Sequence, residues 1–337
     1  MSLPSPSLTV PTFSVYPQIQ FQGSQGTVNF GGAANPFQLR GDAGSMGIEG
    51  VGDMPDVVSG DTEAPRVSGQ YRGYDKLSGR TITVTLDIGS PFGSYTNMPG
   101  AMKALRNALS PPPDGVTEYP FFFQLSSGSP MFCTLVRGRK RSTLIDIPYV
   151  LGNLAQNIPI QFWATDPTLY AAGTLDPTVG VPAPLGGFTF APPTTYGGGV
   201  TGSMSFNLSF GGGVEYGAIT AVNSGDLPCF PLITFTGPMT TPTLTNASLP
   251  NNPFLSFGMV LNTGDTLVVN TDPKYPSAQY TVSGITQSSS RLYTLTQAST
   301  WWAIAPGSNL LQFTTQDVVS VAGTCTVEYT SAYSAAN

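Results

Sequence analysis

The sequence predicts an all-β protein of two antiparallel β-sandwich domains, with one short helix in the N-terminal domain. Two observations predict this fold class. The 39 glycines and 31 prolines among 337 residues indicate many turns, whereas 40% hydrophobic and 11% aromatic residues are too many for a disordered chain. Short apolar runs also recur along the chain with turn residues between them, as they do in β-sandwiches.

Length and charge distribution divide the chain into two predicted domains, 1–172 and 173–337. Residues 171–200 hold seven glycines, five prolines and no lysine or arginine, so we place the junction there. Of the 13 basic residues, only Lys274 and Arg291 follow Arg141. The second domain therefore lacks the basic patch that nucleic-acid binding requires.

The clearest elements of the first domain are one strand and one helix. Residues 80–88 alternate apolar and polar side chains, which predicts a strand with one buried face. Asn97 and Pro99 mark the start of a helix over 98–109, and the prolines after Ser110 end it. The other strands predicted in this domain lie within 8–40 and at 121–125, 131–136, 142–150 and 158–165.

Two charged segments lie between these elements. Residues 137–141 carry four positive charges, and we predict a hairpin turn there. Residues 41–65 carry six acidic residues and no basic one, with many glycines and little periodicity, which predicts an exposed loop.

In the second domain, the spacing of short apolar runs predicts an antiparallel sandwich of seven or eight strands. These strands are predicted at 204–210, 232–235, 254–261, 266–270, 280–285, 291–295, 310–313 and 324–329.

The chain contains no histidine. Histidine is the usual proton shuttle near neutral pH and the commonest metal ligand. Its absence excludes serine–histidine and cysteine–histidine nucleophiles within one chain, and histidine-bound zinc sites. We predict no catalytic residue, no metal site and no cofactor.

Charged residues make up only 9% of the chain, against about 25% in typical soluble domains. A free monomer normally uses charge to stay dispersed, whereas a subunit covered by its neighbours needs less. We therefore favour a subunit of an assembly. The alternative is a soluble monomer coated with serine, threonine and asparagine.

The three cysteines, Cys133, Cys229 and Cys325, lie far apart in apolar sequence, which predicts buried free thiols. Such thiols suit a reducing cytoplasm. The first residues lack the basic start and apolar run of a signal peptide, and no stretch reaches membrane-spanning length. We therefore expect synthesis in the cytoplasm and no membrane partner.

Residues 158–170, with the sequence IPIQFWATDPTLY, resemble the end of the ring-forming N-terminal domain in distal tail proteins of long, flexible-tailed bacteriophages. The acidic loop around 52–56, strand 80–84, the short helix and the arginine-rich segment follow the order of that domain. The second domain resembles the family's galectin-like C-terminal domain at 223–228, 231–237, 262–267 and 301–310. Minor tail proteins of phages that infect actinobacteria are similar as well.

This resemblance implies a structural virion protein of the phage tail, made in the host cytoplasm. Such proteins form a homohexameric ring that joins the tail tube to the tail tip or baseplate. The ring leaves a channel for the tape measure protein and then for DNA, and the galectin-like domains carry tip or hub proteins. The alternative function is a carbohydrate- or receptor-binding module of the tail tip.

The charged segments are the candidate subunit or channel contacts. The basic segment could be a solvated loop, could meet DNA phosphate in the channel, or could meet the acidic loop of the next subunit. We favour the subunit contact over the phosphate contact, because a ring needs two different complementary patches on each copy. The candidate residues are Arg137, Arg139, Lys140, Arg141, Asp53, Asp56, Asp61 and Glu63.

Two further pairs invite a chemical interpretation. Asp53 and Asp56 could act as acid and base on a glycan, but nothing in their loop predicts two different pKa values, so we favour a turn role. Trp301 and Trp302 could stack on a sugar. A galectin site also needs histidine and several arginines, and only Arg291 lies in this domain, so we expect one tryptophan in the core and the other at the surface.

Overall fold

β-Strands dominate the structure, a computed structural model that describes residues 11–13, 17–31, 35–40, 47–63, 68, 70–88, 98–141, 155–172, 178–180, 217–285, 287–317 and 323–336. The predicted all-β class is confirmed, and the part of the chain that the structure describes contains one α-helix. The chain divides into two compact units. The first unit contains residues 2–174, 223–229 and 330–337, and the second contains residues 175–222 and 230–329.

The described residues of the first unit contain one helix, α1, at Met98–Ala108. Its strands are β1 Gln18–Gly23, β2 Gly26–Phe30, β3 Phe37–Leu39, β4 Ile48–Glu49, β5 Val57–Val58, β6 Thr62–Glu63, β7 Gln70–Tyr71, β8 Lys76–Leu77, β9 Arg80–Ile88, β10 Tyr119–Gln124, β11 Phe132–Arg141, β12 Ala155–Ala164, β13 Leu169–Ala171 and, near the C-terminus, β26 Ala332–Tyr333.

The main sheet of the first unit runs in the order β2-β1-β10-β11-β12-β9-β3. Alternate residues of β9 are buried, so its apolar side chains face the core. The rings of Phe21 in β1 and Phe162 in β12 have centroids 5.1 Å apart, so the parts of the sheet on either side of β11 enclose one core. Helix α1 packs its buried Met102 and Leu105 into the same core.

Strand β11 belongs to both halves of this sheet. Residues 132–136 pair with β10, and residues 137–141 pair with β12. The register shifts between Gly138 and Lys140, which is typical of a strand that bends from one layer to the other. The predicted hairpin turn at 137–141 is therefore wrong, because these residues continue a long strand.

The second unit contains β14 Thr178–Gly180, β15 Gly217–Asn223, β16 Leu232–Thr236, β17 Met239–Thr240, β18 Thr243–Asn246, β19 Phe254–Ser256, β20 Val260–Leu261, β21 Thr266–Asn270, β22 Ser277–Thr281, β23 Ser288–Ser290, β24 Gly307–Thr314 and β25 Thr324–Glu328. One sheet has the order β14-β25-β16-β21-β22-β23 and another the order β15-β24-β18-β19. Phe235 of the first sheet and Phe313 of the second have ring centroids 5.8 Å apart, so the two sheets pack as a sandwich.

Several predicted elements differ from the structure. The strand predicted at 291–295 is wrong: Leu292–Thr294 is a 3₁₀ turn, because Leu295 N–H bonds to the Leu292 carbonyl. The run 254–261 forms two strands that pair in different sheets. The strands predicted at 142–150 and 204–210 lie outside the described residues.

Residues 223–229 and 330–337 pack with the first unit, although we predicted them within domain 173–337. Pairing explains their position. Strand β26 pairs with β13, and Leu227 forms a bridge with Ala332. These contacts join residues far apart in the sequence, so no local sequence pattern predicts them.

Candidate assembly site

Residues 54–63 and 70–79 form the two sides of an antiparallel ribbon that we call the arm. Strand β5 pairs with β8, and β6 pairs with β7. At the base of the arm, Ser78 N–H donates to the Asp56 carbonyl at 2.8 Å. Part of the loop predicted at 41–65 is therefore wrong: its second half supplies one side of a two-stranded ribbon. Each strand has only two residues, too few for an alternating pattern to show.

Gly60 and Gly73 bring the two sides of the arm close together. A Cβ atom on Gly73 would lie 2.0 Å from the Gly60 carbonyl oxygen, so no larger residue fits without separating the strands. The Asp61 carboxylate accepts a hydrogen bond of 2.7 Å from Gly73 N–H. Asp61 therefore stabilises the arm itself.

The arm exposes large apolar side chains. Tyr74 is 90% exposed, Met54 73% and Tyr71 65%. Val57 and Val58 of β5 are exposed as well, and Leu77 to a smaller degree. Isolated exposed apolar residues are ordinary, but several large ones on one short ribbon indicate an interaction surface.

The two sides of the arm carry different charges. The first side holds Asp56, Asp61 and Glu63, all exposed, whereas the second holds Arg72, Lys76 and Asp75. Asp53 lies just before the arm, and its carbonyl accepts a hydrogen bond from Arg80. Among the described residues, none of the four predicted acidic residues forms an ion pair. Nothing in the structure makes Asp53 and Asp56 a buried catalytic pair, because both are exposed.

Arg137 and Arg139 of the basic segment 137–141 have different surroundings. Arg137 Nε lies 3.5 Å from Glu118 Oε1, and Arg137 Nη2 donates to Thr165 Oγ1 at 3.1 Å. Arg139 is exposed and lines a groove with Trp163. The backbones of Lys140 and Arg141 pair with β12. Arg137 therefore has a partner inside its own unit, and Arg139 is turned to solvent.

Trp301 and Trp302 lie outside the strands of the second unit. Trp302 is 5% exposed and belongs to the core, and Trp301 is partly buried. A different aromatic group is exposed in this unit. The Arg291 guanidinium lies 5.1 Å from the ring centroid of Tyr280, and its Nη1 donates to the hydroxyl of Tyr293, which is 76% exposed. In the sequence, this group is indicated by Arg291, one of only two basic residues in the second half of the chain.

The predicted buried free thiols are confirmed. Burial raises the pKa of Cys133 and of Cys229 to about 12, and it raises the pKa of Cys325 as well. In the described part of the chain, no group of three acidic or cysteine side chains could hold a metal ion. No helix among the described residues has the length and apolarity needed to span a bilayer.

Residues 224–333 match the family model of the siphovirus-type tail component, C-terminal domain. This part of the chain is similar to a siphovirus-type tail component. The matched region covers the greater part of the second unit, together with residues that return to the first. It includes three of the four segments on which the resemblance of the second domain was based, and part of the fourth.

The fold of the chain resembles that of a solved phage protein. The crystal structure of the Dit protein (gp 19.1) of phage SPP1, described as a paradigm of the hub adsorption apparatus in phages that infect Gram-positive bacteria, matches with a TM-score of 0.56 and 15% identity over 95% of this chain and 99% of that one. A chain of the phage P2 baseplate, in its activated conformation with Ca, matches with a TM-score of 0.43 and 10% identity over 94% and 98%. No curated protein matches the sequence.

Proposed function

We propose that this structural tail component is a ring subunit, without enzymatic activity, that joins the tail tube to the tail tip or baseplate. The exposed apolar arm carries this proposal, because it gives each copy a surface that another copy can cover. The family of the C-terminal domain and the Dit-like fold agree with it. The ring is a homohexamer by the resemblance stated above, and the protein is made in the host cytoplasm before it enters the virion.

An isolated two-stranded ribbon is at best marginally stable in water. Burial of one large apolar side chain contributes about 1.5–3 kcal/mol. Tyr71 and Tyr74 also belong to the residue types that most often dominate interfaces. Packing the arm against a neighbouring copy would therefore stabilise both the ribbon and the assembly.

A closed ring needs a head-to-tail interface between two different patches. We propose that the arm is one patch and that the strand face around Arg139 and Trp163 is the other. The exposed Asp56 and Glu63 would meet the basic end of β11, which carries Arg139, Lys140 and Arg141. Opposite charges at such a contact set the register and the choice of neighbour more than the affinity.

The proposed partners are the tail tube protein, the tape measure protein and the tip or hub proteins. The second unit, a galectin-like sandwich by resemblance, would carry the tip proteins. DNA would pass transiently through the channel of the ring. The basic end of β11 could face that channel instead of the arm, and the experiment below distinguishes the two positions.

Mass measurement by light scattering, over a range of protein concentrations, tests the assembly. The wild-type protein should form one discrete species with the mass of a closed ring, visible as a ring by electron microscopy. The double variant Val58→Ser, Tyr74→Ser should lose this species, because it removes apolar surface from both sides of the arm. Tyr293→Ser removes another strongly exposed tyrosine, from the second unit, and should leave the ring intact.

Two outcomes contradict the proposal. A wild-type protein that stays monomeric at high concentration contradicts ring assembly. A ring that survives the double variant contradicts the role of the arm. If Arg139→Glu leaves the ring intact but abolishes retention on immobilised duplex DNA, then the basic end of β11 faces the channel.

A second candidate function is binding of a carbohydrate receptor. The exposed Tyr293, with Arg291 hydrogen-bonded to its hydroxyl, favours it because aromatic faces and guanidinium groups both contact sugars. Host cell-wall glycan should then quench tyrosine and tryptophan fluorescence in the wild-type protein but much less in Tyr293→Ala. Equal quenching in both proteins, or none in either, contradicts this site.

A further inference from the structure

Arg80 occupies a core position of the first unit. It is the first residue of β9 and lies in phase with Ile82, Val84 and Leu86, so strand alternation points it inward. Its exposed fraction is 4%. A charged side chain at such a position is rare unless hydrogen bonds satisfy it, so Arg80 needs a specific explanation.

Main-chain carbonyls satisfy the Arg80 guanidinium. Nε donates to Pro167 O at 2.9 Å, and Nη1 donates to Gly50 O at 2.8 Å, Val51 O at 3.3 Å and Asp53 O at 2.9 Å. Nη2 donates to Ser334 O. No carboxylate forms an ion pair with Arg80 among the described residues. Burial lowers the pKa of Arg80, and the Asp53 carboxylate acts in the opposite direction.

These contacts join both ends of the arm. Residues 50–53 precede the arm, and Arg80 directly follows it. The Arg80 side chain, at the end of the arm, is therefore hydrogen-bonded to the segment just before the arm. These bonds hold the two ends of the arm together. Lysine could replace it only in part, because a single ammonium cannot reach carbonyls in so many directions, whereas a guanidinium presents five N–H donors in a fixed plane.

The same side chain also holds residues 330–336, which we call the return segment. Strand β26 of the return segment pairs with β13, and Ala336 N–H donates to Val51 O at 2.8 Å. The Tyr333 ring packs edge-on against Phe132. On the opposite side, the Asp226 carboxylate accepts hydrogen bonds from the backbone N–H and the hydroxyl of Ser334.

We propose that Arg80 is the positioning residue of the arm and that the return segment, held by Arg80 and Asp226, fixes the orientation of the arm base. Assembly through the arm then depends on a segment about 250 residues away in the sequence. This proposal rests on the proposed ring function for its assembly readout. Its local part, the coupling of residues 50–53 to 330–336, can be measured in a monomer.

Hydrogen exchange with mass spectrometry on the full chain tests the coupling. In Arg80→Met, amides of residues 50–53 and 331–336 should exchange at least about tenfold faster, since a buried hydrogen bond to a charged group is lost at each segment. Interior amides of β9 and β12, such as those of Val84 and Ile160, should keep their protection. Arg80→Lys should give an intermediate result. The control is Arg40→Lys. Arg40 pairs with Asp87, which lies on β9 as Arg80 does, and this variant should change the exchange rate of neither segment.

The variant Asp226→Ala tests the return segment without touching Arg80. It should accelerate exchange at 331–336 and also at 50–53, and it should weaken ring assembly at least about tenfold by the same reasoning. If exchange rises at 331–336 alone and the ring stays intact, the return segment does not control the arm. If Arg80→Met leaves residues 50–53 protected, Arg80 does not position the arm.

The two proposals fail in different ways. A wild-type monomer would contradict the ring, yet the exchange rates would still report on Arg80. A ring that forms normally in Arg80→Met, with residues 50–53 loosened, would contradict the positioning role alone. A uniform loss of protection across β9 and β12 in Arg80→Met, with no partial rescue by Arg80→Lys, would show that Arg80 supports the whole unit rather than the arm.

Discussion

Glu118 lies beneath Arg137 in the first unit, with Glu118 Oε1 at 3.5 Å from Arg137 Nε. The Glu118 side chain is 2% exposed, and its carboxylate also accepts hydrogen bonds from the backbone N–H and hydroxyl of Thr165. At 3.5 Å the Nε atom forms an ion pair without the geometry of a hydrogen bond. Arg137 is thus the neutralising partner of a buried carboxylate, whereas its neighbour Arg139 is exposed.

Arg137 and Arg139 should therefore respond differently to substitution. Arg137→Met should lower the free energy of unfolding of the first unit by about 3 kcal/mol, because it leaves the Glu118 carboxylate buried without its cation. Arg139→Glu should change stability by about 0.5 kcal/mol or less and act on assembly instead. Denaturant unfolding measures the first effect and light scattering the second. Equal loss of stability in both variants would contradict this division.

Sequence patterns predict an element correctly where its structure depends mainly on its own residues. Strand 80–88 and the helix were predicted because their apolar periodicity reports which face is buried, and both are confirmed. The hairpin turn predicted at 137–141 is wrong because four charges hide the apolar pattern of a strand. The bend of this strand depends on its pairing with β10 and then with β12. Such pairing involves partners distant in sequence, so it leaves no local signal.

The sequence analysis predicts neither the arm nor the Arg80 hydrogen bonds at its base, for two different reasons. The two-residue strands of the arm are too short for periodicity, so only their acidic composition was visible. Arg80 did have a signal, because it stands in phase with the buried positions of β9. Its carbonyl partners come from three other segments of the chain, and only the folded structure brings them together.

Asp265 should make the stability of the second unit depend on pH. Hydrogen bonds from Ser283 N–H, the Tyr280 hydroxyl and Asn262 hold the pKa of this buried carboxyl at about 2, below its ordinary 3.8. A depressed pKa in the folded state stabilises the protein above the unfolded pKa, and this contribution is lost as pH falls from about 4 through about 2. Asp265→Asn should cost about 1.5–3 kcal/mol at pH 7.

Urea unfolding of the wild type and Asp265→Asn at several pH values provides the measurement. The difference between the two proteins should shrink as the pH falls below 4, because the carboxyl of the unfolded chain becomes protonated there while the folded carboxyl stays ionised down to about pH 2. Asp272→Asn is the control, because the half-buried Asp272 accepts one hydrogen bond, from Lys274 N–H, that an asparagine amide oxygen can also accept. It should show little difference at any pH. A difference that stays constant down to pH 2 would mean that Asp265 does not act through its charge.

The three thiols should be unreactive in the folded protein. Thiol reagents attack the thiolate, and burial raises the pKa of Cys133 and Cys229 to about 12, so both are neutral at pH 8. Cys325 is fully buried. A disulfide-exchange dye at pH 8 should label none of the three until denaturant is added, after which all three should react. Rapid labelling of one native thiol would identify a local opening of the unit that contains it.

Gly73→Ala should test the arm without removing any apolar or charged side chain. The new methyl group would lie 2.0 Å from the Gly60 carbonyl oxygen, so the two sides of the arm must separate, and the bond from Gly73 N–H to Asp61 would be strained. Core strands lie elsewhere, so the thermal midpoint should change little. Gly128→Ala is the matched control, because a Cβ there meets no atom within 4 Å. Light scattering should show loss of the ring in Gly73→Ala and an intact ring in Gly128→Ala. A ring of unchanged mass and stability in both variants would mean that the shape of the arm does not matter for assembly.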